Sequence, residues 1–262
     1  MDERLQALAR TLAPDPSAPP FGAYIFRPDE PAADLAREVE RAVFLDAFGN
    51  TADLLESEYG AYDRHSMFIC VVDHRRGIPA GAMRVIIPSP LGSKSLNDLE
   101  PVWGEPADEM FRRTGLDVDR RRVWDIATIA VRSDYRSGAL RGLLTMGLYQ
   151  TLTLAAFHCG AEWFIAILDM PVFRLIRWKL RMIFAGFAGV GPMPYLGSLA
   201  SLPAWCDVAA AERRLAAEDD DLHQILVLGR GLEPALRPVD LTAADPFVIG
   251  PCHLASEDGV SA

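Results

Sequence analysis

From Leu143 to Leu168 the chain runs for 26 residues with one formal charge, Glu162. No other feature restricts the fold as strongly. Such a stretch is either a membrane span or material for a buried core. Its punctuation decides between them. Gly160, Ala161 and Glu162 interrupt it, leaving a helix over Leu143 to Cys159 and a short strand over Trp163 to Leu168. Gln150 and His158 would be expensive in lipid. A second uncharged stretch, Met182 to Pro203, carries Gly186, Gly189, Gly191, Pro192 and Pro194, which suit no continuous span. It reads as a strand over Met182 to Ala188 followed by a Gly/Pro loop. Both stretches are therefore expected in a domain core, with no membrane span.

Composition agrees with a globular chain. Of 262 residues, 50% are hydrophobic and 24% charged, which excludes global disorder. The net charge of −10 argues against a nucleic-acid partner, because phosphate backbones need a basic surface. Cys70, Cys159, Cys206 and Cys252 show neither a zinc nor a disulfide spacing. His65, His74, His158, His223 and His253 show no ligand spacing, so no metal is expected. The start, Met1-Asp2-Glu3-Arg4, lacks the basic and apolar regions of a signal peptide, and a cytoplasmic location is expected.

The spacing of apolar residues predicts a helix near residues 3–12, a strand over Gly22 to Arg27 and a helix from Asp29 to Ala47. Thr51 caps a second helix, Ala52 to Tyr59. Ser66 to Val72 and Ala80 to Ile87 read as a hairpin. A polar connection with short helices near Leu96 and Met110 leads to the clearest strand, Val123 to Val131. Helix, strand and helix follow, and Asp207 to Leu228 is expected to be helical. Residues 1–20 read as a helix and a Pro-rich linker, 21–231 as the domain, and 232–262 as a peripheral tail.

Chemistry concentrates where Val123 to Val131 feeds the turn Arg132 to Gly142 and then an apolar helix. A helix N-terminus offers free N–H groups and the positive end of the dipole. Gly138 and Gly142 permit close backbone approach, while Arg136 and Arg141 add positive charge. On the strand, alternation puts Asp125 on one face with Ala127, Ile129 and Val131. A carboxyl among apolar neighbours should have a raised pKa and can act as a base.

The segment Val131-Arg132-Ser133-Asp134-Tyr135-Arg136-Ser137-Gly138-Ala139-Leu140-Arg141-Gly142-Leu143-Leu144 resembles the phosphate turn of the GNAT superfamily of N-acetyltransferases. Ala139 and Arg141 stand where that superfamily usually has glycine. Within it, Ala42-Val43-Phe44, Tyr62-Asp63, Gly81-Ala82-Met83-Arg84 and Trp124 to Val131 resemble the autoinducer (acyl-homoserine lactone) synthases and the long-chain N-acyl amino acid synthases. Gly191-Pro192-Met193-Pro194-Tyr195-Leu196-Gly197-Ser198 resembles a stretch of the latter. Asp125 and Thr128 replace the Glu and Arg of the autoinducer synthases, which points to a broader N-acyltransferase rather than lactone formation.

The resemblance implies an α/β fold, a mixed twisted sheet flanked by helices, of the acyl-CoA N-acyltransferase type. It implies transfer of an acyl group, medium or long, from acyl-CoA or an acyl carrier protein to a small-molecule amine by direct attack. An acetyl-CoA-dependent acetyltransferase and a non-catalytic acyl-CoA-binding module are the alternatives. Ile129, Ala130 and Val131 are the expected backbone donors to the thioester carbonyl. Arg136, Ser137, Gly138, Ala139, Leu140, Arg141 and Gly142 are expected to hold the pyrophosphate. Asp63 is a candidate for binding or deprotonating the amine, Arg84 for holding a carboxylate or phosphate, and Asp125 for acting as base. Where relatives place an acidic Tyr, this chain has Phe173 and Trp178. Arg112, Arg113 and Arg120 to Arg122 are a candidate docking surface for a carrier protein, and Phe184, Phe187, Met193, Tyr195 and Leu196 a candidate acyl tunnel.

Overall fold

A computed structural model describes residues 2–12, 17–137, 140, 142–179, 181 and 184–241. The first half comprises α1 (Glu3–Thr11), β1 (Phe21–Phe26), α2 (Ala33–Phe48), α3 (Ala52–Tyr59) and the hairpin β2 (Ser66–Asp73) and β3 (Ile78–Ile86). Gly49 ends α2 in a left-handed conformation, and the Thr51 hydroxyl accepts from Leu54 N to start α3. Three short helices follow, α4 (Lys94–Asn97), α5 (Leu99–Trp103) and α6 (Ala107–Thr114). Then come β4 (Val123–Val131), α7 (Leu143–Cys159), β5 (Trp163–Asp169) and α8 (Met170–Lys179). The chain continues through β6 (Ala185–Gly186), β7 (Met193–Tyr195), β8 (Ser198–Asp207), α9 (Val208–Glu218), α10 (Asp220–Leu226) and β9 (Leu236–Arg237).

The strands make one mixed sheet in the order β6-β8-β5-β4-β3-β2-β1-β9, with β7 also on β8. The pairs β4–β5 and β1–β9 are parallel and the rest antiparallel. Helix α7 covers one face, over a core that includes Met67, Ile69, Leu148, Leu152 and Phe164. Helices α1 and α2 cover the other, around Leu35, Val39, Phe68 and Cys70. The second flank of α7 is closed by α10, where Gln150 Nε2 donates to Ile225 O at 2.9 Å. That double burial is why a 17-residue helix can be apolar all round. Among the described residues no helix is long and apolar enough to cross a membrane.

Three expectations change. The Gly/Pro loop gives way to the ten-residue strand β8. Pro203 is tolerated there because β6 pairs at Ala204 and Trp205 and β7 at Ser201, leaving Pro203 between them. The expected tail is not peripheral at its start: Leu236 is fully buried and β9 extends the sheet. Residues 242–262 lie outside the described residues.

The third change sets the geometry of the site. The β3–β4 ladder runs from Gly81 opposite Val131 to Arg84 opposite Thr128, then resumes with Val85 opposite Ile126. Ala127 is thus an extra residue on β4, a β-bulge, and it reverses the alternation. Trp124, Ile126, Ile129 and Val131 all pack under α7. Asp125, Thr128 and Ala130 face the opposite side, so Asp125 does not share a face with Ile129 and Val131.

The turn between β7 and β8 rests on the end of α2. Gly197 has φ +83°, and a Cβ there would lie 2.6 Å from Phe48 O. Gly142 has φ +87° but open space around it. Gly142→Ala should cost about 1–2 kcal/mol of backbone strain. Gly197→Ala should cost more, because a backbone carbonyl must also move; urea unfolding of the two variants checks the order.

Candidate functional site

Strands β4 and β5 pair only at Val123–Trp163, Trp124–Phe164 and Asp125–Ile165. Beyond that point, at the Ala127 bulge, they part. The rest of β4 is then paired on the β3 side alone. The phase of that ladder follows from Arg132 N, which donates to Ala80 O at 3.0 Å. Alternating back along the strand turns the N–H of Ala130 toward β3 and those of Ile129 and Val131 away from it, into the gap. Ala130 is therefore set aside as a donor, while Ile129 and Val131 remain.

The gap is a cleft of about 80 Å³. Phe44, Phe48, Ile126, Ile129, Ile167, Leu168 and Val172 give it apolar walls. Tyr59, Thr128, Asp169, Tyr195, Ser198 and Ser201 give it polar points. Asp169 closes β5 and accepts a hydrogen bond from Ser198 Oγ. Tyr195 donates its hydroxyl to Asp98, and Lys94 Nζ donates to the Tyr195 oxygen at 2.9 Å. Lys94 is buried but ion-paired with Asp98 and with Glu58, the latter at 2.8 Å. Burial opposes its charge, yet hydrogen bonds to Asp98 and Glu58 outweigh it and hold the ammonium above the ordinary lysine range. Burial, with Tyr59 and Asp98 nearby, pushes the Tyr195 hydroxyl up, so it stays protonated.

Beside the cleft lies a buried ion pair. Arg84 donates Nε to Glu40 Oε1 at 3.0 Å and Nη2 to Glu40 Oε2 at 2.7 Å. Its Nη1 donates to Asp63 Oδ1 at 3.0 Å. Thr128 Oγ1 donates to Glu40 at 2.6 Å, and Arg37 Nη2 to Asp63 Oδ2 at 2.6 Å. Arg84 is also stacked near the Phe68 and Tyr59 rings. Thus Arg84 is committed to two carboxylates rather than awaiting one, and Asp63 to two arginines. Asp125 is fully buried and accepts from Ser95 N at 2.8 Å and Ser95 Oγ at 2.6 Å, anchoring α4. Burial pushes its carboxyl up to about 6, as the sequence implied, but it faces α4 rather than the cleft.

The turn before α7 is described in part; Gly138, Ala139 and Arg141 lie outside the described residues. Arg136 is exposed and its Nε donates to Val131 O at 2.6 Å. Ser137 is exposed, and Leu140 packs on the core beneath α7. Gly142 is the N-cap of α7, with no side-chain cap and no acidic residue in the first turn. By contrast, Asp2, Thr51, Asp207 and Asp219 cap α1, α3, α9 and α10 with side-chain oxygens. Helices α2 and α6 also lack a side-chain cap, over Ala32 and Pro106, but α7 opens over a glycine beyond the end of β4, where the backbone can be approached closely.

Other candidates resolve into structural roles. Arg112, Arg113, Arg120, Arg121 and Arg122 are each ion-paired, with Glu109, Glu105, Asp108, Asp119 and Glu162. Their run is locally neutral. Tyr195 and Leu196 line the cleft, whereas Phe184 and Phe187 are core and Met193 is exposed. Phe173 is buried and Trp178 exposed. Burial pushes the Cys159 thiol up to about 12, which removes it as a nucleophile. Glu40, Lys94, Asp169 and Ser201 were not among the candidates the sequence offered, and Ser198 only as the end of the Gly191 to Ser198 stretch. A signal existed for Glu40, a charge on the apolar stripe of Ala36, Val39 and Val43, and for Asp169, an acid closing an apolar strand.

Two measurements probe this arrangement. Glu40→Ala leaves Arg84 buried with half its partners and should cost about 3–5 kcal/mol in urea unfolding. Asp125 has a folded pKa above its unfolded value of about 3.9, so its contribution to stability falls as pH rises from 4 through 6. Asp125→Asn should remove that slope: relative to the variant, the parent chain loses about 2 kcal/mol between pH 4 and pH 7.

No family model matches the sequence, and a search of curated sequences returns no relative. Solved structures do match. A CoA-dependent acyl-homoserine lactone synthase, BjaI, solved with SAM and isopentyl-CoA, is 14% identical with a TM-score of 0.51, over 83% of this chain and 92% of that one. FeeM, an N-acyl amino acid synthase from uncultured soil microbes, is 13% identical with a TM-score of 0.54, over 78% of this chain and 99% of that one. The chain therefore has the fold expected of it, the mixed sheet and flanking helices found in these acyltransferases.

Proposed function

We infer that the protein is an N-acyltransferase that moves an acyl group from a thioester to an amine in the cleft between β4 and β5. The single observation that carries this reading is the parting of the two strands, which leaves the N–H groups of Ile129 and Val131 outside both ladders, with Ile129 on the wall of an apolar-walled cleft. A thioester carbonyl accepting from Ile129 N–H would be polarised where charge develops on its oxygen. The uncapped start of α7, one turn beyond the strand, suits a phosphate group on the same donor. The remaining turn residues Arg136, Ser137, Gly138, Ala139, Leu140, Arg141 and Gly142 would complete that contact. Acyl-CoA combines both features and is a co-substrate rather than a resident cofactor.

In the reaction the amine nitrogen forms a bond to the carbonyl carbon as the C–S bond breaks. The amine's proton passes to water or a carboxylate of the cleft, and the thiolate leaves and takes up a proton. No side-chain nucleophile is required. The apolar walls around Phe44, Phe48 and Ile167 favour an acyl group larger than acetyl. A carrier-protein donor would need a docking surface other than the paired arginines of 112–122.

Incubation with acyl-CoA thioesters of increasing length and a panel of amines, read by thiol release and product mass, tests the reading. An amide product supports it; thioester binding without turnover would favour a binding module. The donor assignment has its own test. Ile129→Pro removes an N–H that is outside the β3 ladder, and should lower kcat by about 10²–10³-fold while the chain still folds. Ala130→Pro removes a ladder hydrogen bond and should instead lower the melting temperature.

A further inference from the structure

We propose that the acceptor is a cationic amine with no carboxylate beside its nitrogen, held by Asp169. This rests on the acyl-transfer reading and adds the charge that the acceptor must carry. Asp169 is the one formally charged side chain among the described residues that line the cleft. Ser198 Oγ occupies its Oδ1, and Oδ2 has no hydrogen-bond partner among the described residues. Ser198 and Ser201 place hydroxyls beside it on the same wall.

Position supports the role. Ile129 on β4 and Asp169 at the end of β5 line the same cleft, one from each of the two strands that part there. A carbonyl bound at the Ile129 N–H and an ammonium bound at Asp169 would face each other across the gap between the strands. The bound ammonium first gives a proton to Asp169 or to water, and the neutral amine then attacks the carbonyl carbon.

Charge excludes the alternative. An amino-acid acceptor needs a cation for its carboxylate. The buried cations nearest the cleft are already matched, Arg84 by Glu40 and Asp63, and Lys94 by Glu58 and Asp98. Arg37 is likewise held by Asp34 and Asp63. A free carboxylate would enter an apolar-walled cleft whose one described formal charge, Asp169, is negative, and would be repelled there. Primary amines, diamines and amino alcohols meet no such penalty.

The test uses matched acceptors that differ only in the carboxylate: phenethylamine against phenylalanine, tyramine against tyrosine, and putrescine against ornithine. With the full chain and a saturating acyl-CoA, kcat/KM for the decarboxylated member should be at least tenfold higher in each pair. Equal rates, or preference for the amino acids, would overturn the assignment while leaving acyl transfer intact. Thioester binding with no amide from any acceptor would overturn acyl transfer itself, and this proposal with it. The comparison needs no variant, so it stands whatever a substitution does to folding. Asp169→Asn keeps an acceptor for Ser198. It should raise the amine KM at least tenfold, leave the thioester KM unchanged and narrow the ratio within each pair. A parallel rise in both KM values, with the ratio preserved, would reduce Asp169 to a structural role and also overturn the assignment.

Discussion

A buried arginine–glutamate pair holds this molecule in its working shape. Arg84 on β3 and Glu40 on α2 meet through two hydrogen bonds, and Thr128 on β4 adds a third to the same carboxylate. One interaction thereby joins a helix to two adjacent strands, at the place where the β3–β4 ladder changes register. Burying both charges is costly, and only near-complete hydrogen bonding makes it tolerable. Asp63 and Arg37 extend the pair toward the surface and help close the charge balance. The alternative use of Arg84, as a ligand for substrate, is removed by the same bonds.

The bulge and the parted strands follow from that anchor. The extra residue Ala127 lets Thr128 reach Glu40 while Ile129 and Val131 keep their place beneath α7. Past Asp125 the strand β4 has lost its partner on one side, and its free edge becomes the wall of a cleft. An unpaired strand edge inside a protein is normally a fault, since buried N–H groups need acceptors. Here the edge lines a cleft instead of being sealed against a neighbouring strand. The β7–β8 turn and the ends of α2 and α3 enclose it, tied by Asn50 Nδ2 to Leu196 O at 3.0 Å and by Lys94 to Tyr195.

Much of the fold was legible because glycine, proline and capping residues punctuate the chain. Gly160 and Gly49 ended helices where the sequence placed their stops, and Thr51 opened the next helix. The strand β8 escaped notice because its proline and small residues mimic a loop; only its neighbours on each side reveal why Pro203 fits. Of the candidate site, Ile129 and Val131 turn their N–H groups away from the β3 ladder and Gly142 opens α7. Asp63, Arg84 and Asp125 carry the right charges but spend them on Arg37, Glu40 and Ser95. A charged residue in a strand is equally suited to substrate or to a neighbour, and sequence spacing does not distinguish the two.

By itself the sequence determined the element order as far as α8, the burial of most of the stretch from Leu143 to Leu168 and the presence of a strand–turn–helix unit suited to an anion. These are local properties: periodicity, capping and backbone freedom are set by residues within a few positions of one another. Tertiary structure alone decided which face Asp125 occupies, which backbone N–H groups are free and which carboxylate meets the cleft. A single bulged residue reverses the alternation of everything beyond it, and no local pattern announces the bulge. The partner of a buried charge, too, lies tens of residues away, as Glu40 does from Arg84, and is chosen only when the helix docks on the sheet.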